Sequence, residues 1–189
     1  GLFWRRCDGI GDLLNKVWRG SKKHELKSIG IFKKAKGRRE ELRAKIKSDI
    51  NKLTGNQKPG LTVILIGEDA ASQIYVKNKE KFANEVGINS TVIRFQSSIS
   101  EEDLKNQIRK LNNDNNVHGI LVQLPLPKHI NQRDIIETID PRKDVDGFHP
   151  INVGNLSSGN DALVPCTPLG CYYLIKKAVP NLSGLNAVV

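Results

Sequence analysis

Two short, continuous apolar runs constrain the fold of this chain more than any other feature. Leu61 to Ile66 ends at a glycine, and Gly119 to Gln123 has a similar length and character. Such runs are typical of parallel strands that are buried on both faces of a sheet. Thr91 to Phe95 adds a further predicted strand between them. We therefore expect a mostly parallel sheet.

Segments with helical periodicity alternate with these strands. The first predicted helix runs from Arg38 to Leu53, with Leu42, Ile46, Ile50 and Leu53 as its apolar face and Gly55 as its stop. The second begins at Ser72 as its cap and runs through Val86 to Gly87, and the third begins at Ser100 and has Leu104, Ile108 and Leu111 as its apolar face. Two further helices are predicted from Arg133 to Ile139 and from Thr167-Pro168 to Ala178. Carboxylates at 101–103 suit the positive end of a helix dipole. Asn186 to Val189 reads as the start of another strand.

This alternation of strands and helices defines the expected fold class. It predicts an α/β domain with three layers, a mostly parallel sheet being flanked by helices. We divide the chain into a basic extension over 1–37, one domain over 38–167, and a linking helix and first strand over 168–189. We expect the sequence to break off at the start of a second, Rossmann-type domain.

Composition narrows the class of protein. The chain has 189 residues, of which 38% are hydrophobic, and no run of eighteen apolar residues that could cross a membrane. Its three cysteines lack CxxC spacing, which excludes a disulfide scaffold and a cysteine zinc site. We expect a soluble, intracellular protein.

The net charge of +10 is concentrated at one end. Residues 1–60 hold 17 Lys and Arg against 6 Asp and Glu, whereas the remainder is nearly neutral. Residues 1–37 are open to three interpretations: a targeting or tail segment, a lineage-specific extension, or a sequence artefact. Binding of nucleic acid or an anionic surface through residues 1–60 is the least favoured function, because the fold itself is not basic.

Several polar residues follow the predicted strands, where ligands of parallel α/β sheets bind. Tyr75 and Lys79 lie one helical turn apart, so they share a helix face. Gln123 closes a strand before two prolines, and Asp144 and Asp146 lie in one loop. Each also has a structural interpretation. Tyr75 and Lys79 fit an ordinary amphipathic pair, Gln123 fits a strand cap, and the two aspartates fit turn residues. None is decisive alone.

Other candidate residues favour structural roles. His118, His129 and His149 lack metal-ligand spacing, so we expect no metal site. Cys166 and Cys171 are expected to be small core residues. Gly55 and Gly60 do not have the spacing of a phosphate-binding loop.

Four motifs together are far more specific than their members. They are GEDAASQIYVKNK at 67–79, VQLPLP at 122–127, KDVDGF at 143–148 and PCTPLG at 165–170. In this order and at these separations, they resemble the bifunctional methylenetetrahydrofolate dehydrogenase/cyclohydrolase family. The resemblance covers residues 38–189. At 32–38 the sequence FKKAKGR departs from the opening strand pattern of that family.

The resemblance implies a role for each matched residue. Lys79 would be the central catalytic group, opening and closing the imidazolinium ring of methenyl-tetrahydrofolate, with Gln123 positioning it. Tyr75 would pack against the folate, and Asp146 would anchor the pterin ring. These roles make Lys79, Gln123 and Tyr75 catalytic and Tyr75, Gln123 and Asp146 substrate-binding.

The implied chemistry is physically consistent. A lysine has to lose its proton before it can act as a base, and burial in a pocket lowers the pKa of an amine. A glutamine accepts a hydrogen bond from the amine without a charge that would keep it protonated. A carboxylate accepts two N–H donors side by side, as a pterin offers them.

The resemblance also implies a cofactor and partners. The family binds NADP, or NAD in some members, in its second domain, and homodimerises through it. No dinucleotide-binding site is present in these 189 residues, so hydride transfer by this chain alone is not expected. The expected location is the cytoplasm, with the mitochondrial matrix as the alternative. The alternative function is an inactive or folate-binding-only fragment.

Overall fold

A computed structural model describes residues 40–53 and 58–186. The predicted extension over 1–37, the helix stop at Gly55 and residues 187–189 of the predicted last strand lie outside this part. The elements are α1 (helical from residue 40 to 51), β1 (Gly60–Ile66), α2 (Ala70–Val86), β2 (Asn89–Phe95), α3 (Glu101–Asn113), β3 (Gly119–Val122), α4 (Gln132–Thr138), α5 (Pro150–Ser157) and α6 (Cys166–Ala178).

The three strands form one parallel sheet with the order β2-β1-β3. Alternate residues of the central strand β1 point to opposite faces and pack in two separate clusters. Ile64 and Ile66 pack with α3 and α4, whereas Val63 and Leu65 pack with Val76 of α2. Helices thus cover both faces, which confirms the predicted α/β fold.

Helix α3 illustrates why the sequence specifies these elements so clearly. The Ser100 side chain accepts a hydrogen bond from the Asp103 backbone N–H, which begins the helix as predicted. Leu104, Ile108 and Leu111 face the sheet, and all three are buried. Complete burial of such a side chain contributes about 1.5–3 kcal/mol.

Two predicted N-caps are wrong, and the helix predicted from Arg133 to Ile139 lies one residue earlier, at Gln132–Thr138. The N-cap of α2 is Asp69 and not Ser72, because the Asp69 carboxylate accepts from both the backbone N–H and the hydroxyl of Ser72, at 2.8 Å each. Helix α6 begins at Cys166, so Thr167 lies within its first turn. The predicted stop of α2 is confirmed, since Gly87 has the left-handed φ of 95°.

The predicted apolar face of α1 is only partly buried. Ile46 and Ile50 are half-buried, but Leu42 is exposed, and Leu53 is exposed and lies beyond the last helical residue. Arg43 adds a contact that apolar periodicity does not predict. Its guanidinium lies 3.8 Å from the ring centroid of Phe82 on α2, a cation–π contact.

The chain divides into two compact units, and the described residues of the first run from Leu42 to Pro165. The first contains the sheet and α2 to α5. In the second, α6 carries Tyr172 and Tyr173 on exposed positions, and the Lys176 ammonium donates to the Tyr172 hydroxyl at 3.2 Å. Among the described residues, no helix is both long and apolar enough to span a membrane.

Candidate functional site at the carboxyl ends of the strands

Tyr75 and Lys79 lie on α2, the helix that follows the central strand. The buried face of this helix includes Val76 and Ala83, and Tyr75 and Lys79 border that face as half-buried residues. Since they are four residues apart, they lie on the same side of the helix. The phenol and the ammonium group are therefore carried on one side of α2.

Gln123 comes directly after β3 and is 4% exposed. Its backbone N–H donates to the Ile64 carbonyl of β1 at 2.9 Å, and its side-chain Nε2 donates to the Leu124 carbonyl at 2.8 Å. With Nε2 engaged, Oε1 accepts from the Lys79 ammonium at 3.2 Å. A neutral amide fixed by its neighbours thus orients the lysine.

The segment that carries Asp144 and Asp146 extends the sheet edge. Ile120 of β3 pairs with Asp144 in parallel, and its backbone N–H donates to the Lys143 carbonyl at 2.7 Å. The sequence predicts a loop with turn residues at this place. Because Asp144 pairs with β3, the segment lies beside the same strand that Gln123 follows.

Asp146 is half-buried beside this edge, and its electrostatic environment links it to the lysine. Burial raises the pKa of the Asp146 carboxyl above its usual range, and the negative charge of Asp144 adds to this rise. The positive charge of Lys79 acts in the opposite direction and lowers that pKa. Lys79 thus contacts Gln123 and acts electrostatically on Asp146.

Sequence reasoning missed helix α5, which supports this site. His149 caps it, with Nδ1 accepting from the Ile151 backbone N–H at 3.1 Å, and Pro150 occupies its first turn. Its Asn152 is buried and donates to Asp144 at 3.0 Å. The signal was present, because a capping side chain followed by proline is a helix start.

The other predicted structural residues make main-chain contacts. Nδ1 of His118 accepts from the Gly60 N–H at 3.0 Å, and Nε2 of His129 lies 2.9 Å from the Ile99 carbonyl oxygen. Cys166 is exposed and Cys171 is half-buried, so the prediction of two core cysteines is wrong for Cys166. Within the described ranges, no group of three or more His, Cys, Asp or Glu could hold a metal ion.

Together these groups define a class of site. An ammonium group, a neutral amide and a carboxylate of raised pKa can bind a polar heterocycle and transfer protons to it. They lie where parallel α/β domains bind small molecules, beyond the carboxyl ends of the strands. The arrangement is therefore a candidate small-molecule site in an α/β domain.

Residues 33–146 match the family model described as tetrahydrofolate dehydrogenase/cyclohydrolase, catalytic domain. The chain belongs to this family. The match begins five residues before the resemblance expected from the motifs, within the sequence 32–38 that departs from the family opening.

Individual relatives agree with this assignment. The chain is 60% identical over 151 residues to the bifunctional protein FolD of Pelagibacter ubique. The aligned region covers 79% of this chain and 54% of that protein. The crystal structure of FolD from Campylobacter jejuni is similar with a TM-score of 0.67 and 47% identity, over 72% of this chain and 51% of that one. The chain spans about half the length of the curated relatives it matches.

One solved relative was studied with a cofactor. The methylenetetrahydrofolate dehydrogenase-cyclohydrolase of Trypanosoma brucei, complexed with NADP cofactor and inhibitor, has a TM-score of 0.70 and 31% identity. The similarity covers 74% of this chain and 48% of that one.

Proposed function

We propose that this domain binds 5,10-methenyl-tetrahydrofolate and catalyses its hydrolysis to 10-formyl-tetrahydrofolate, the cyclohydrolase step of one-carbon metabolism. The observation that carries the proposal is the 3.2 Å hydrogen bond from Lys79 to Gln123 at the carboxyl end of β3. It sets one lysine apart from the exposed lysines of α2 and aims it into the site. Family membership supplies the substrate class.

Lys79 would handle the protons of this reaction. Water adds to the one-carbon bridge between N5 and N10, the bond from that carbon to N5 breaks, and one proton is released overall. The neutral amine accepts a proton from the attacking water, and the resulting ammonium can return it to the departing nitrogen. Gln123 holds the amine in place through an uncharged oxygen, so proton loss is not opposed by a carboxylate on that side.

Asp146 and Tyr75 would hold the folate. The Asp146 carboxylate offers two oxygens to neighbouring N–H groups of the pterin, which gives orientation as well as affinity. The Tyr75 ring, on the same helix side as Lys79, would pack against the flat face of the ligand. We assign Tyr75, Lys79 and Gln123 to catalysis, and Tyr75, Gln123 and Asp146 to substrate binding.

The dehydrogenase activity of the family needs NADP or NAD, and the first two strand-to-helix turns described here do not suit a dinucleotide. Helix α2 begins with the Asp69 carboxylate as its cap, and α3 carries Glu101, Glu102 and Asp103 in its first turn. These negative charges occupy the positions where a pyrophosphate would bind a helix N-terminus. We therefore derive no hydride-transfer step through these turns.

We assign residues 38–167 to the folate-binding domain and residues 168–189 to a linking helix and the first strand of a dinucleotide-binding domain, through which a homodimer would form. The division of the chain after Pro165 supports a boundary in this region. For location we propose the cytoplasm.

The test of the proposal is an assay of 5,10-methenyl-tetrahydrofolate hydrolysis, monitored as the decrease in the near-ultraviolet absorbance of the substrate. We expect Lys79→Ala to reduce the rate by at least about 100-fold, the usual contribution of a general acid–base group. Lys77→Ala is the matched control, because Lys77 is an exposed lysine on the same helix. Equal rates for the two variants would refute the role of Lys79. Tetrahydrofolate binding without turnover by the unmodified chain would favour a folate-binding-only function instead.

A further inference from the structure

Asp144 is fully buried, but the proposed chemistry gives it no role. It is 2% exposed and lies two residues before Asp146. A buried carboxylate is costly unless hydrogen bonds satisfy its oxygens. We propose that Asp144 is a positioning residue, which shapes the segment 144–149 so that Asp146 meets the pterin. This inference rests on the proposed function, since it assumes that Asp146 binds folate.

The hydrogen bonds of Asp144 fix the course of the backbone around Asp146. Its Oδ1 accepts from the backbone N–H groups of Asp146, at 3.2 Å, and Gly147, at 3.1 Å. Its Oδ2 accepts from the His149 N–H at 2.8 Å. Three of the five residues that follow Asp144 are therefore tied to one carboxylate, and Asp146 is one of them.

Helix α5 completes this arrangement from the other side. The buried Asn152 side chain donates to Oδ2 of Asp144 at 3.0 Å and to the Pro141 carbonyl at 2.9 Å. Asn152 thus connects the backbone at Pro141, three residues before the segment, to the buried carboxylate of Asp144. The Lys143 ammonium donates to the Leu111 and Asp114 carbonyls at the end of α3, at 3.0 and 2.8 Å. Helices α3 and α5 therefore hold Asp144 and the residues just before it, and neither helix carries a proposed catalytic group.

The substitution Asp144→Asn tests this role with little change in volume. One oxygen remains for the N–H groups of Asp146 and Gly147. The new amide nitrogen, however, faces the His149 N–H and the Asn152 amide, so donor opposes donor. We expect tetrahydrofolate to bind at least about tenfold more weakly, because buried donors lose their acceptor and the segment shifts.

A double-mutant cycle separates positioning of Asp146 from a general structural effect. Tetrahydrofolate dissociation constants are measured by calorimetry for the unmodified chain, Asp144→Asn, Asp146→Ala and the double variant. If Asp144 acts through Asp146, Asp144→Asn has little further effect once the Asp146 side chain is absent. Asp140→Asn is the matched control, because that carboxylate pairs with the exposed Arg142 and should leave binding unchanged.

Each result of this cycle decides one question. An equal loss of affinity from Asp144→Asn in both backgrounds, or no loss in either, would overturn the positioning role. If Asp146→Ala itself leaves affinity unchanged, the proposed folate anchor is wrong, and the inference falls with it. If thermal denaturation shows that Asp144→Asn does not fold, Asn152→Ala replaces it in the same cycle. That variant leaves three backbone donors on Asp144, and loss of affinity only when Asp146 is present is again the expected result.

Discussion

Replacing Gln123 by glutamate changes the charge beside Lys79 while nearly preserving shape. In the structure, Gln123 Oε1 lies 3.2 Å from the Lys79 nitrogen. A carboxylate at this place would stabilise the ammonium form, whereas the proposed reaction requires the neutral amine. We expect the Gln123→Glu variant to hydrolyse methenyl-tetrahydrofolate slowly at neutral pH and to recover activity as the pH rises.

The distance gives the size of the effect. Two unit charges 3.2 Å apart interact by about 5 kcal/mol at an effective dielectric constant of 20, equivalent to nearly four pH units at about 1.36 kcal/mol per unit. Burial of the new carboxylate and its repulsion from the Leu124 carbonyl oppose part of this gain. We therefore expect the pH–rate profile to move upward by about 1–2 units, which is at least about a tenfold loss of rate at neutral pH.

The assay is the rate of methenyl-tetrahydrofolate hydrolysis between pH 6 and 9, in buffers of constant ionic strength, corrected for spontaneous hydrolysis at each pH. Gln132→Glu is the matched control, because Gln132 is an exposed glutamine at the start of α4. A Gln123→Glu profile that coincides with that of the control would refute the argument that the amide keeps Lys79 able to lose its proton. A uniform loss of rate at every pH would also refute it.

Three further predictions concern stability. Burial raises the pKa of the Asp146 carboxyl above 3.8, so the contribution of this group to stability is present below pH 3.8 and is lost as the pH rises through the folded-state value. The melting temperature of Asp146→Asn minus that of the unmodified chain should therefore increase from pH 4 to pH 7. A difference that stays constant with pH would contradict this. Gly147→Ala should lower the free energy of unfolding, measured by urea titration, by about 2 kcal/mol. The reason is that φ of Gly147 is +69° and an added Cβ would lie 2.5 Å from the Leu163 carbonyl oxygen. An unchanged urea midpoint would contradict this prediction. Gly154→Ala, in α5 with open space around it, should instead raise that free energy by about 0.5–1 kcal/mol in the same titration, and a lower midpoint would show that the helix does not tolerate the methyl group.

The parts of the fold that the sequence predicted are those with a strong local signal. The apolar run of β1 and the cap and periodic leucines of α3 each specify one structure without help from distant residues. The parallel sheet then follows, because helical segments separate the strands. This is why the fold class is confirmed even where helix ends are wrong.

The errors occur where several local solutions compete. Asp69 and Ser72 are both good N-cap residues, three positions apart, and the carboxylate of Asp69 takes the role by accepting from Ser72 itself. At Thr167, the Thr-Pro pair suggests a helix start, but α6 begins one residue earlier. Helix α5 was missed because the residues up to Pro150 were predicted as a loop, although His149 and Pro150 form a helix start and the buried Asn152 belongs to that helix.

The candidate site could be predicted only in part, because its members come together through the sheet. Lys79 and Gln123 are 44 residues apart, and no local pattern contains their hydrogen bond. The rule that ligands bind beyond the carboxyl ends of parallel strands placed both residues on the same edge. It also grouped Asp144 and Asp146 with them as loop residues, but it could not predict the pairing of Asp144 with Ile120, an edge contact of only one residue pair.

Asp144 and Asp146 show why residue type alone could not separate support from chemistry. They are two residues apart in one motif and carry the same side chain, yet one is surrounded by four donors and the other lies in the electrostatic field of a lysine. The difference arises from Asn152, which comes from a later helix, and from the backbone turn at Gly147. A carboxylate whose oxygens are already occupied by its own chain has little capacity left for a ligand. We therefore expect a substrate to contact the second aspartate and not the first.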